Sequence, residues 1–270
     1  MFEIPKIWAG THDSLDLLLD AMASSYAMIE ARGASRDPFE LPPLLDVREG
    51  VGIVSLKGPL VAGSAGFMRL FGITGYADFQ AGLVEAVADK SVKSVLLDIS
   101  SPGGAVEGVD EASEMIKQVA AAKPVITYAG GNMLSAGYWL GSGGGRRLAS
   151  RTSMIGSIGV VVTHIERSRQ LDKDGITPTV IRTGKWKALG GPLEPLSPLA
   201  KAELEALAED INQIFEARVA TNLGVSQRQV HDKMGQGRQF MGAKALEVGL
   251  IDGIASFQEA FLTAKLLARS

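Results

Sequence analysis

From Val51 onward, short apolar runs alternate with stretches whose apolar residues recur every three or four positions. Val51-Gly52-Ile53-Val54-Ser55-Leu56, Val92 to Ile99 and Pro124 to Tyr128 read as strands, rich in aliphatic and β-branched side chains. Between them, Phe79 to Asp89 and Val106 to Ala121 carry helical spacing. Helices between apolar strands imply right-handed crossovers and a largely parallel sheet covered on both faces, an α/β fold. The rhythm continues with a strand over Met154 to Thr163, a helix over Ile165 to Asp174 and a strand over Thr179 to Arg182. Ser197-Pro198 opens a long helix to about Asn222, with Leu204, Leu207, Ile211, Ile214 or Phe215, and Val219 as its stripe and Gly224 as its end. A last helix–turn–helix stretch runs to Phe240-Met241-Gly242 and Gly249-Leu250-Ile251-Asp252. Gly63 to Tyr76 mixes glycine with Phe67, Met68, Leu70, Phe71 and Ile73, which predicts a mobile apolar lip and not a core element.

The first part of the chain has a different texture. Ser14 to about Ala31 reads as an amphipathic helix with Leu15, Leu18, Leu19, Met22, Tyr26 and Ile29 on one face, and Arg32 to Pro43 as a polar linker. This divides the chain into an N-terminal helical arm and linker, residues 1–45, and an α/β domain, residues 46–270. The arm's stripe needs cover, from its own domain or from a neighbouring subunit.

Composition narrows the chemistry. The 270 residues are 46% hydrophobic, enough for a packed core, and the net charge of −3 gives no general attraction to nucleic acid or anionic membrane. With no cysteine, disulfides, thiolate metal sites and cysteine nucleophiles are excluded, and the three scattered histidines suggest no metal centre. No apolar stretch approaches the ~18 residues that span a bilayer. The opening residues lack a basic leader followed by an apolar segment, so a cytoplasmic protein without metal or cofactor is expected.

Three segments can carry chemistry. Ser135 lies in Gly131-Asn132-Met133-Leu134-Ser135-Ala136-Gly137-Tyr138-Trp139, at the start of a helix where the N–H of Ala136 is free and the dipole favours negative charge. Ser101-Pro102-Gly103-Gly104 ends the preceding strand in a sharp turn whose N–H groups can meet a developing oxyanion. Both turns open at carboxyl ends of neighbouring parallel strands, the edge where ligands bind. Lys187 follows in Thr183-Gly184-Lys185-Trp186-Lys187; burial beside Trp186 and Leu189 would keep its amine neutral and able to take a serine proton. Taken singly, Ser135 reads equally as a helix cap, the glycine turn as a plain connection and Lys187 as a solvated surface lysine.

The ordered set is more specific. Leu97-Asp98-Ile99-Ser100-Ser101-Pro102-Gly103-Gly104, Leu134-Ser135-Ala136-Gly137-Tyr138, Thr152 to Val160 with Gly156-Ser157-Ile158-Gly159, Thr183 to Lys187, and Gly237 to Ala243 with Gly249-Leu250-Ile251-Asp252 resemble peptidase family S49. That family comprises the signal peptide peptidase A group and its phage head-maturation relatives. The resemblance runs from about Val51 to Phe261. It implies a ClpP/crotonase-like αβ spiral, assembly into homo-oligomeric rings, and a Ser–Lys dyad. Ser135 matches the nucleophile, Lys187 the general base, Ser157 the serine that orients the lysine, and Gly103, Gly104 and Ala136 the oxyanion hole. Leu134-Ser135-Ala136-Gly137 lacks the Ser-Gly-Gly form of the cellular enzymes and is closer to the phage branch, as is the loop Lys187 to Pro192. Ser142-Gly143-Gly144-Gly145-Arg146 departs from the family's more regular stretch there.

The resemblance therefore implies a serine endopeptidase that processes scaffold or capsid proteins during prohead maturation, in the host cytoplasm or the prohead. The alternatives are a soluble cellular peptidase of the signal-peptide-peptidase type, a catalytically silent capsid-assembly protein and a crotonase-type acyl-CoA enzyme. His164, after Val160-Val161-Val162-Thr163, is the rival base.

Overall fold

A computed structural model describes residues 7–10, 19–20, 23–24 and 41–268. The helix expected over 14–31 lies largely outside the described residues; Leu19, Asp20, Ala23 and Ser24 are helical.

The larger sheet runs, edge to edge, Gln239–Met241, Met154–Gly156, Val125–Leu134, Ser94–Ser101, Val51–Lys57 and Asp46–Arg48. Its four inner strands are parallel and its two edges antiparallel. Period-two alternation explains how this sheet is covered twice. Val54, Leu56, Val95, Leu97 and Ile99 face one core, which includes Leu83, Ile116 and Trp139 from the helices Tyr76–Ala88, Val109–Ala122 and Ala136–Gly141. Val51, Ile53, Leu96 and Ile126 face the other, against Ala260, Phe261 and Ala264 of the helix Phe257–Leu267. That last helix, started by a Ser256–Glu259 capping box, was not anticipated.

Val125–Leu134 is the strand that places the site. Its first half pairs in parallel with Arg146–Ala149, and its end pairs with Met154–Gly156. On its other side the register with Ser94–Ser101 slips: Ile99 faces Ala129, but Ser101 faces Met133. The extra residues form an arch at Gly130-Gly131-Asn132, and the chain returns to the core at Met133 and Leu134. Such a bulge bends a strand and re-aims the residues beyond it, here Ser135. Gly131 sits close to the neighbouring strand: a Cβ there would lie 2.6 Å from Ser100 Oγ, which would have to rotate away.

A second, smaller sheet has the order Val161–Val162, Ile7–Gly10, Gly103–Ala105, Leu60–Val61, Thr74–Gly75. The Ile7–Gly10 strand, inside the stretch read as the arm, was not foreseen. The strand expected over 154–163 is broken, because Gly156 and Ser157 turn out of it with φ of 110° and 54°. The helix expected from Ile165 begins at Ser168. Thr179 to Arg182 forms no strand; Ile181 is 92% exposed, and β-branched residues need a neighbouring strand to pair with. The apolar lip over 63–76 is partly core: Gly66–Phe71 is a surface 3₁₀ turn, but Ile73 and Tyr76 are buried.

The long helix keeps its expected ends. Ser197 accepts a hydrogen bond from Ala200 N, Pro198 occupies the first turn, and Gly224 closes Pro198–Leu223 at φ 67°. Phe215, not Ile214, points inward, and only the carboxyl half of the stripe is buried.

Candidate active site

Ser135 stands between the strand Val125–Leu134 and the helix Ala136–Gly141, with φ 51° and ψ −123°. A side chain in this region costs about 1–3 kcal/mol and persists only where its surroundings impose it. The surroundings do so. Ser135 N donates to Gly156 O at 2.8 Å, and Ser135 O accepts from Tyr138 N and Trp139 N, both at 2.8 Å. The helix after it is anchored in turn: Tyr138 Oη donates to Leu250 O at 2.8 Å, and Trp139 stacks on Phe215 with ring centroids 4.3 Å apart. Ser135 is not an ordinary helix cap, since its side chain accepts no capping hydrogen bond. It is a serine on a sharp strand-to-helix turn at the sheet's carboxyl edge, 1% exposed.

Ser157 follows directly on Gly156, which pairs with Leu134 at the end of the two parallel strands and whose carbonyl accepts from Ser135 N. Ser157 also has a positive φ and is fixed by its N–H donating to Arg238 O at 2.7 Å. Gly137 packs against Ser101, leaving 3.2 Å between a Cβ built on Gly137 and Ser101 Cβ, which brings the Pro102-Gly103-Gly104 turn to the same end of the sheet. The Gly103 N–H does not point outward as expected; it donates to Ser101 Oγ at 3.1 Å. Gly104 lies within a strand, where a Cβ would sit 2.0 Å from Leu60 O. Ala136 is the first helical residue, a position whose N–H has no partner inside the helix.

Lys187 is set apart from this group. It sits on an exposed turn, its N–H donating to Gly184 O at 3.1 Å, and among the described residues no hydrogen bond joins it to Ser135 or Ser157. The apolar shelter expected from Trp186 is not supplied among the described residues: Trp186 is 52% exposed and carries Lys185 Nζ over its ring. The turn is tied to the strand end before it. His164 Nδ1 lies 3.1 Å from Gly190 O, and Arg167 N donates to Pro192 O at 2.8 Å. His164 is thus a brace for the lysine turn. Ser135, Ser157 and the glycine turn converge, whereas Lys187 stays on the surface.

The closing motif has a structural role that its sequence alone did not reveal. Gly237 N donates to Ile158 O, Arg238 O holds Ser157, Leu250 O holds Tyr138, and Asp252 accepts from the backbone N–H and the guanidinium of Arg147. These residues form the seat beneath the two serines.

The family model for peptidase family S49 matches residues 117–269, which include Ser135, Ser157, Lys187 and the closing motif. The chain belongs to this family. Among S49 relatives, the capsid assembly protease C of Escherichia phage lambda is 31% identical over 214 residues, 79% of this chain and 48% of that protein. The chloroplastic serine protease SPPA of Arabidopsis thaliana is 28% identical over 224 residues, 81% of this chain and 31% of that protein. The chain thus spans about half the length of the phage relative, 48% of it. Among solved structures, an enoyl-CoA hydratase/isomerase-like protein from Acinetobacter baumannii superposes with a TM-score of 0.50 at 16% identity, over 85% of this chain and 83% of that one. The S49 chain therefore has the ClpP/crotonase-like fold; at that identity the likeness concerns the fold alone.

Proposed function

We propose that this S49 chain is a serine endopeptidase whose nucleophile is Ser135 and whose general base is Lys187. The observation that carries the reading is the Ser135 backbone, held at φ 51° by Gly156 on the neighbouring strand and by Tyr138 and Trp139 of the helix it opens. In the reaction, neutral Lys187 takes the Ser135 proton as Oγ bonds to the scissile carbonyl carbon. Ala136 N–H and the Gly103-Gly104 turn face the oxyanion, Gly103 by releasing Ser101 Oγ. The lysine's proton then passes to the leaving amine as the C–N bond breaks, and water releases the acyl group by the same steps. Ser157 orients the amine.

A lysine base needs desolvation, and among the described residues none buries Lys187. Its neighbourhood exposes Ile165 (53%), Ile176 (54%) and Ile181 (92%) together with Trp186, a surface suited to cover by another copy of the chain. Ring assembly would bury this surface and carry the lysine turn onto a serine. The substrates we propose are extended segments of phage scaffold and capsid proteins, supported by the similarity to a capsid assembly protease. The test is labelling of the assembled protein with a fluorophosphonate. Modification located on Ser135 by peptide mass is the expected result; an unlabelled Ser135 in a folded assembly would reduce it to a structural turn and sink the reading.

A further inference from the structure

The strand Ile7–Gly10 lies between two others, antiparallel to both. On one side Trp8, Ala9 and Gly10 face Ala105, Gly104 and Gly103; on the other, Ile7 and Trp8 face Val162 and Val161. Without it, Gly103–Ala105 and Val161–Val162 would leave a slot two strand spacings across, about 10 Å, which admits one extended chain but not a helix with its side chains. Both walls belong to the site. Gly103 lies two residues beyond Ser101, whose sheet partner Met133 lies two residues before Ser135, and Val161 is four residues beyond Ser157. The carboxyl end of the inserted strand, Gly10, faces Gly103 and so points toward the serine end of the slot. Antiparallel addition of an extended segment between two open strand edges is how a peptide donates its backbone for recognition.

We propose that residues 7–10 act as an internal plug, occupying the slot that takes an extended peptide substrate and competing with it. The inference rests on the peptidase reading and adds a regulatory element to the same site. Because the plug is tethered, its effective concentration is high, and a free peptide binds only in the fraction of molecules whose slot is open. The two flanking strands are three and two residues long, so few hydrogen bonds hold the plug and its release requires no unfolding of the larger sheet. Successive residues of a strand direct their N–H groups to opposite neighbours, so the pair Trp8→Pro and Ala9→Pro removes a donor on each side.

The experiment compares the full chain with this double variant, using a peptide that carries Ile-Trp-Ala-Gly. In the Ser135→Ala background, which cannot turn the peptide over, the double variant should bind it at least about tenfold more tightly. In the active background, kcat/KM on an unrelated unstructured protein should rise by a similar factor. Equal affinity and equal kcat/KM would overturn the plug and leave the peptidase reading standing. Tighter peptide binding without any peptidase activity would keep the plug and overturn the peptidase reading. Loss of both in a folded variant would make residues 7–10 a structural strand and overturn the plug. A second measurement needs no proline variant: hydrogen exchange of the Ser135→Ala chain with saturating peptide. Amides of residues 7–10 should lose protection while those of 103–105 keep theirs; binding with residues 7–10 unchanged would overturn the proposal.

Discussion

The serine and lysine halves of this site are built to opposite standards. At Ser135 both the backbone N–H and the C=O are engaged, the helix behind it is buried, and the supporting partners come from residues 156, 238 and 250. Around Lys187, the chain is exposed and is tied at its edges by His164, Arg167 and the Arg182–Glu194 ion pair. One helix, Pro198–Leu223, touches both halves and changes character along its length. Phe215 and Val219 are fully buried near Trp139, whereas Leu199 and Leu207, toward the lysine turn, are 37% and 41% exposed. The fold fixes Ser135 rigidly and leaves Lys187 on an exposed turn; on the proposed reading, the base is seated by another copy of the chain. Electrostatic work on a reacting carbonyl demands fixed groups, and under the proposed function a base delivered on assembly would confine cutting to the assembled state.

The largest expected effect tests that division directly. Ser135→Ala and Lys187→Ala should each lower kcat by at least about 10,000-fold, since members of a catalytic unit are not additive. When the two inactive variants are co-assembled in equal amounts, some contacts pair an intact serine with an intact lysine. Activity should return to about a quarter of the wild-type value if the pair is formed between subunits. No recovery would mean that the lysine turn folds onto its own serine.

Next in size is the contrast along the shared helix. Phe215→Ala, which removes the ring stacked on Trp139, should cost about 3–5 kcal/mol by denaturant unfolding. Leu207→Ala should cost under about 0.5 kcal/mol in the isolated chain and instead weaken self-association measured by sedimentation. Equal losses would mean that the two halves are equally packed.

A smaller effect isolates the turn itself. Glycine is at ease at φ 51° and ψ −123°, so Ser135→Gly should be about 1 kcal/mol more stable than Ser135→Ala, although both are inactive. Indistinguishable melting temperatures would show the turn to be relaxed.

The smallest effect lies at the buried end of the helix. His231 Nδ1 donates to the buried Glu216 carboxylate at 2.9 Å, and this hydrogen bond with the charge of Glu216 raises the His231 pKa above its ordinary value. Because the folded pKa is the higher one, the stabilisation is complete below the unfolded pKa of about 6.5 and fades as pH rises through the folded value. The melting temperature difference between wild type and His231→Gln should therefore shrink as pH increases from about 5.5 to 9. A constant difference would exclude the charge from any role.

Much of the preorganised half was legible in the residues. Ser135 and the Ser101-Pro102-Gly103-Gly104 turn sit where apolar runs stop at small residues, and the helix ends at Ser197-Pro198 and Gly224 come directly from capping chemistry, whereas Ser157 is marked by the family resemblance alone, inside a stretch read as one strand. The exposed half was less so. Thr179 to Arg182 has the residue types of a strand but pairs with no described strand, and Met154 to Thr163 is mostly apolar yet breaks where Gly156 and Ser157 take positive φ. Local composition cannot report whether a neighbour exists. The Ile7–Gly10 strand was missed for the same reason: four residues carry no period of their own, and their pairing is set by chain segments about a hundred and a hundred and fifty residues away.

The seat beneath Ser135 has a consequence in time. The serine leaves the ribosome about a hundred residues before Arg238 and Leu250, which hold Ser157 and Tyr138 in place. A nascent chain therefore carries the Ser135 hydroxyl well before the residues that brace its surroundings exist, and under the proposed function unfinished products would be harmless to the proteins around them. Chains truncated before Arg238 should accordingly refuse the fluorophosphonate that full-length chains accept.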